Sequence, residues 1–236
     1  LVGVGFFVIN ILKLIRNIKL GKDIDRSDRK IERWKNMARI ALGQSKMVSR
    51  PFAGFLHVIV YIGFVVINIE VLEIVIDGLF STHRVFQPLL GNTIYGFLIG
   101  TFEILAFLVL VAVILFWLRR NIVQLKRFMS KEMKGWPKSD GNLILYFEIV
   151  LMSLFIVMNA TDHTFQEANI GNPISQFVAP WFSGFSLETL ATIEHTTWWV
   201  HIIGILIFLN YLYYSKHLHI LLAFPNTFFA NLDPKG

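Results

Sequence analysis

A chain of 236 residues that is 55% hydrophobic, with 22 phenylalanines, lacks the polar residues to surface a soluble fold of its size. Its apolar residues come in blocks near the roughly 20 that a helix needs to cross a bilayer, and no alternation over about ten residues points to a barrel, so the sequence predicts an all-α integral membrane bundle. With no cysteine, the chain itself excludes disulfides, thiolate metal sites and Cys-bound iron–sulfur clusters; its net charge of +6 gathers beside the apolar blocks, where it meets lipid rather than nucleic acid.

Five hydrophobic segments follow in order. The first, "LVGVGFFVINIL", is too short to span and is expected to continue upstream, so the bundle is read as five transmembrane helices with the first truncated. The others run over 51–78, 93–118, 142–160 and 197–218. A long loop over 161–196, with Pro, Gly and amphipathic pieces, separates the last two. The chain starts at Leu1 rather than Met and stops at "LDPKG", which suggests an excised N-terminal module with something following Gly236.

Lysine and arginine set the orientation. The loop 13–50, opening "KLIRNIKLGKDIDRSDRKIERWKNMAR", and the loop 119–141, opening "RRNIVQLKRFMSKEMKGWPK", are dense in them. The loop after the second segment holds only Arg84, and 161–196 holds none. The two basic loops are therefore placed in the cytoplasm, the N-terminus outside, and the C-terminus, with Lys216 and Lys235, inside. Within the first basic loop, Ile31, Trp34, Met37, Ala38 and Ala41 recur at helical spacing. That pattern suits a helix on an anionic leaflet or against a soluble partner, or a solvated connector.

The histidines carry the chemistry. His201 and His219 stand eighteen residues apart at the two ends of the last segment. On one continuous helix that is about five full turns, which puts both rings on one face roughly 27 Å apart. His57 lies about two turns into the second segment, in "PFAGFLHVIVYIGF", where Gly54 and Gly63 allow a helix or a flat cofactor to approach. Two imidazoles on facing apolar helices are what bis-histidine haem b ligation requires. The same residues also suit hydrogen-bonded core or interfacial positions.

The five-helix plan, the histidine on segment two and the pair eighteen apart resemble the cytochrome b (gamma) subunit of respiratory nitrate reductase. The ending "YSKHLHILLAFPNTFFANLDPKG" is more similar to membrane cytochromes b joined to cytoplasmic Cys-rich iron–sulfur domains, of the heterodisulfide-reductase and electron-transfer-flavoprotein:menaquinone oxidoreductase types. That resemblance covers the whole chain. It implies one membrane cytochrome b domain over 1–236, ahead of a fused or separate cytoplasmic iron–sulfur domain, in a bacterial or archaeal cytoplasmic membrane. It implies that His57 and His219 bind the inner of one or two b haems and His201 the outer. The nitrate reductase pattern wants a further histidine ten residues past His57, where this chain has Ile67 followed by Asn68. His163, in "MNATDHTFQ", is the first candidate for that missing ligand, ahead of His195 and His83. A loop residue hydrogen-bonded to Asp162 or its surroundings is the plainer reading of His163.

A quinone site needs an apolar slot and groups that hydrogen-bond carbonyls and exchange protons. Glu70, Glu73 and Asp77 cluster at the outer end of segment two, and with Asp162 and Asn68 they form the candidate site for menaquinone or ubiquinone. Interfacial solvation is the plainer reading of Asp77, and a helix–helix hydrogen bond that of Glu103. The sequence thus predicts a haem b module carrying electrons between a cytoplasmic iron–sulfur partner and quinone. The alternative is a haem-free membrane anchor or small-solute or proton transporter.

Overall fold

The computed structural model describes residues 1–47 and 49–233, with every side chain in those ranges but that of residue 127. Lys235 and Gly236, on which two of the expectations fall, lie outside the described residues. Among the described residues the chain is helical and holds no strand, as the sequence predicts. The α-helices are α1 (Val2–Ile18), α2 (Lys30–Met37), α3 (Pro51–Phe80), α4 (Phe86–Asn121), α5 (Trp136–Thr161), α6 (His163–Ala168), α7 (Ser175–Val178), α8 (Leu187–Tyr211) and α9 (His219–Phe228). Four helical stretches are long and apolar enough to cross a membrane: α3, α4, α5 and α8 with its continuation to Tyr214. The 17-residue α1, expected to be a truncated span, is not among them, so four of the expected five spans are found among the described residues and the fifth is not confirmed.

The chain divides into two compact units, residues 56–205 and residues 1–55 with 206–236. The first is built on α4 and α5. Tyr95, Ile99, Phe102, Ala106, Val109 and Val113 recur every three or four residues and make one buried stripe along α4. Leu151, Phe155 and Met158 of α5 belong to the same core. Small residues set the approach of the neighbours. A Cβ on Gly63 of α3 would collide with Val109, and one on Gly78 with the Trp198 indole. The slot that Gly63 opens is thus filled by α4. Near its start, α4 passes through Gly91 at φ +73°, ψ 158°, a region essentially confined to glycine that costs a residue with a Cβ roughly 1–3 kcal/mol.

In the other unit, α2 packs on α9 through Arg33, only 1% exposed. Its guanidinium donates to the carbonyls of Asp28 (2.9 Å), Phe228 (3.2 Å) and Ala230 (2.9 Å) and pairs with the Asp28 carboxylate. Asn36 Nδ2 donates to the Thr227 carbonyl at 2.6 Å, and Trp34 meets Phe228 edge-on with centroids 5.2 Å apart. Ile31 and Trp34 remain exposed while Ala41 is buried, so the apolar positions at helical spacing do not act as one face.

The last hydrophobic segment corrects an expectation. It is not one helix carrying His201 and His219 on a shared face. The α-helix ends at Tyr211, a tighter turn covers 212–214, and Ser215 is extended at φ −105°, ψ 155°. The Ser215 hydroxyl accepts the His217 N–H at 3.0 Å and starts a new turn before α9. A serine side chain offers the backbone this local alternative to the helical ladder. Five uninterrupted turns therefore do not connect the two histidines.

Candidate functional site

Glu70, Glu73 and Asp77 follow one another at spacings of three and four on α3, which places them on one face. Asp77 folds the next loop. Its carboxylate accepts from Thr82 Oγ1 (2.6 Å), the Arg84 N–H (2.8 Å) and the Val85 N–H (3.2 Å). This is a turn-capping role rather than interfacial solvation. Ser81 and Arg84 both take positive φ, 54° and 52°, in the tight turn so formed. The turn carries His83 and Arg84 over the ends of α3 and α5 and the start of α8, and a cavity of about 400 Å³ opens there. Glu70, Glu73, Asp162, Glu194 and His195 line it, with the Trp198 and Trp199 rings.

Arg84 organises this end of the unit although it is 7% exposed. Its Nε donates to Asp162 Oδ2 at 2.9 Å, Nη1 to Tyr95 Oη at 3.3 Å and Nη2 to Asn159 Oδ1 at 3.0 Å. The guanidinium carbon stands 3.9 Å over the Phe165 ring. Tyr95 passes the connection on, donating its hydroxyl to Glu73 Oε2 at 3.0 Å, while the Phe86 N–H donates to Glu73 Oε1 at 2.8 Å. Asn159 donates to Glu103 Oε1 at 3.0 Å, and Glu103 Oε2 accepts the N–H groups of Ile174 and Ser175 at 2.9 and 3.0 Å. Glu103 thus ties α4 to α5 and to the loop before α7, a structural hydrogen-bonding role rather than a free mid-helix proton carrier.

Two groups beside the cavity lie outside the spanning helices and have displaced pKa values. Burial pushes the Asp162 carboxyl up, but the His83 hydrogen bond, the Arg84 charge and the Phe165 N–H outweigh it and hold it down at about 2. The hydrogen bond to Asp162 raises His83, against the opposing effect of burial. Glu70 contrasts with both. It is 3% exposed, and its Oε2 has no hydrogen-bond partner. A buried carboxylate oxygen without a donor is costly unless it gains a proton, a ligand or an ion.

Of the expected quinone-site residues, the structure brings Glu70, Glu73 and Asp162 to one cavity. Asn68 is exposed and donates instead to the Phe64 carbonyl of its own helix. The residue that sequence reasoning passed over is Arg84. Its only signal was that it stood as the lone cation in an otherwise uncharged-to-acidic loop.

The expected haem ligands sit in four different settings. His201 on α8 is 2% exposed, its ring centroid 6.2 Å from that of Phe155, and its Nδ1 has no hydrogen-bond partner. An imidazole buried with an unsatisfied ring nitrogen fits a ligand position. His219 is exposed, and its Nδ1 lies 3.0 Å from the Lys216 carbonyl, which can only accept. In a neutral ring that contact favours the tautomer with the proton on Nδ1, the one that ligation through Nε2 needs. His57 is half-buried on α3. His163 is exposed at the start of α6, its Nδ1 3.5 Å from Glu167 Oε2. It does not bond to Asp162, whose Oδ1 instead caps α6 by accepting the Phe165 N–H at 3.0 Å. Ile67, at the position where the nitrate reductase pattern wants histidine, is a buried core residue.

No family model matches the chain, and no solved structure matches it. Over 237 residues the chain is 29% identical to the "Probable iron-sulfur-binding oxidoreductase FadF" of Bacillus subtilis (strain 168), across 99% of this chain and 32% of that protein. Over 249 residues it is 23% identical to the "EtfAB:quinone oxidoreductase" of Syntrophomonas wolfei, across 100% of this chain and 33% of that protein. It therefore spans about a third of the length of these curated relatives. Neither relative is a nitrate reductase gamma subunit, and that part of the expected resemblance gains no support. What the comparisons establish is likeness to proteins named as iron–sulfur and quinone-linked oxidoreductases.

Proposed function

We propose that the chain is the membrane module of a quinone-linked oxidoreductase, passing electrons between a cytoplasmic iron–sulfur partner or fused domain and menaquinone or ubiquinone. The observation that carries the reading is the cavity at the junction of α3, α5 and α8. It joins an apolar bundle to a buried carboxylate without a donor and to a carboxylate held by a tyrosine. Quinone reduction needs a hydrogen-bond donor at each carbonyl and a route for protons. Glu70, when protonated, donates from its Oε2 to a ring carbonyl. Tyr95 and the Phe86 N–H fix the Glu73 carboxylate, and Arg84 holds Tyr95 and Asp162 in place. Trp198 and Trp199 supply flat apolar walls. One relative is named as a quinone oxidoreductase and the other as an iron–sulfur-binding oxidoreductase, which supports this reading.

The bundle is proposed to hold one or two b haems in a bacterial or archaeal cytoplasmic membrane. The imidazoles proposed to ligate haem iron are those of His57, His219, His201 and His163. When bound, haem supplies one-electron transfer; the chain supplies imidazoles in a low-dielectric setting. With the basic loop 119–141 read as cytoplasmic, the cavity is proposed to face the outer side. The test is quinol oxidation by the whole natural protein. Glu70→Gln is expected to lower kcat at least tenfold while quinol KM changes less than threefold. Unchanged turnover in Glu70→Gln and Glu73→Gln would remove the cavity from the reaction.

A further inference from the structure

Among the described residues, five carboxylates line the cavity (Glu70, Glu73, Asp77, Asp162 and Glu194) against the single guanidinium of Arg84. Asp77 and Glu73 are satisfied by donors of the loop and by Tyr95. Glu70 Oε2 has none. At the mouth, His83, Asp162 and Glu194 each turn one ligand atom inward, and these three atoms lie within 4.8 Å of one another. We infer that this mouth is a binding site for a divalent transition-metal cation of the zinc class, held by His83 Nε2, one Asp162 oxygen and one Glu194 oxygen.

One imidazole nitrogen and two carboxylate oxygens form a borderline donor set, which suits zinc better than magnesium or calcium. Three protein ligands leave a fourth tetrahedral position for water. With bonds of about 2.0–2.1 Å, tetrahedral donors stand about 3.3 Å apart, so closure asks for movements of up to roughly 1.5 Å. The ligands that must move are free to do so: the His83 side chain is 55% exposed, and Glu194 is only partly buried. Asp162 is the fixed member. Arg84 holds its Oδ2 at 2.9 Å and the Phe165 N–H its Oδ1 at 3.0 Å. His83 Nε2 already approaches Oδ2 at 3.2 Å, and the cation takes the place of the proton between them. The unsatisfied Glu70 carboxylate lines the same cavity and adds to the field that favours a cation. Arg84 opposes it and weakens the attraction. The site stands on these donors alone and goes beyond the electron-transfer reading.

The test is equilibrium dialysis of Zn²⁺ against the detergent-purified chain after chelation, where no cysteine competes for the metal. One saturable Zn²⁺ per chain is expected. His83→Ala and Glu194→Gln should each weaken binding at least tenfold, with helical circular dichroism unchanged. Glu188→Gln, an exposed carboxylate in the first turn of α8 and outside the cluster, should change it less than twofold. Zinc-edge X-ray absorption should show one imidazole among nitrogen and oxygen ligands. Wild-type affinity in both His83→Ala and Glu194→Gln, an absorption spectrum without imidazole, or no saturable binding would each overturn the assignment. Quinol turnover does not enter these readouts, so the site and the proposed function can fail separately.

Discussion

Arg84 and Arg33 are both buried arginines, and they are held in opposite ways. Arg33 is fastened mainly to backbone carbonyls, at Asp28, Phe228 and Ala230, and its carboxylate partner among the described residues, Asp28, is half exposed. Arg84 is fastened to side chains, at Asp162, Tyr95 and Asn159, and those side chains reach a cavity. Carbonyls cannot titrate or exchange protons, and the Asp28 carboxylate opens to solvent rather than to the cavity, so the first arrangement serves to hold α2 to α9. Carboxyl and phenol groups can, so the second both holds structure and leaves chemistry available. A buried charge by itself therefore does not mark a site; the titratability of what it bonds does.

Breaking the two clusters should show the difference. Arg84→Ala leaves the Asp162 carboxylate buried without its guanidinium partner and is expected to cost about 3–5 kcal/mol. The measurement is a fall in the detergent unfolding midpoint, with Arg84→Lys recovering only part of it, because one ammonium cannot reproduce the three-way fork. Arg33→Ala is expected to cost about 2–3 kcal/mol through lost charged hydrogen bonds to carbonyls. Hydrogen exchange should accelerate over 219–230 and leave quinol turnover unchanged; exchange unchanged there would show that Arg33 fastens nothing.

The third effect depends on pH. Asp162 is held at about 2 against an ordinary 3.8, so its contribution is present above about pH 4 and is lost as pH falls towards 2. The shift corresponds to about 2 kcal/mol. His83 works in the opposite sense. Its folded pKa is raised above 6.5, so its contribution is present below that pH and is lost as pH rises through the folded value. Unfolding midpoints between pH 2 and 5 should fall less steeply in Asp162→Asn than in the wild type. His83→Ala should remove only the alkaline arm. The smallest effects belong to α3. Glu70→Gln removes an unsatisfied charge-bearing oxygen and should be neutral or stabilising by up to about 1 kcal/mol while slowing quinol oxidation. Asn68→Ala should stay within about 0.5 kcal/mol and leave turnover alone.

Much of the helical framework was readable from local pattern. The stripe from Tyr95 to Val113 repeats at helical spacing, and Glu70, Glu73 and Asp77 announce a common face. What sequence could not show were the partners of polar groups. Arg84 bonds residues 75 and 78 positions away, and Arg33 bonds carbonyls 195 and 197 positions away. Backbone acceptors leave no trace in side-chain identity. The break at Ser215 was also hidden. Leucine, tyrosine and histidine around it are all tolerated in a helix, and one hydroxyl bond to the His217 N–H decides the outcome. Asn68 misled for a similar reason, since its amide finds a carbonyl one turn back on α3.

The most direct test of the central claim is an optical one. The purified natural protein, expressed with haem supplied, would be mixed with excess quinol and its difference spectrum recorded, with haem counted per chain. The account predicts one or two b haems per chain, reduced by quinol in the wild type and much more slowly in Glu70→Gln. A folded preparation of the same protein that carries no haem, or whose haem quinol does not reduce, would contradict it.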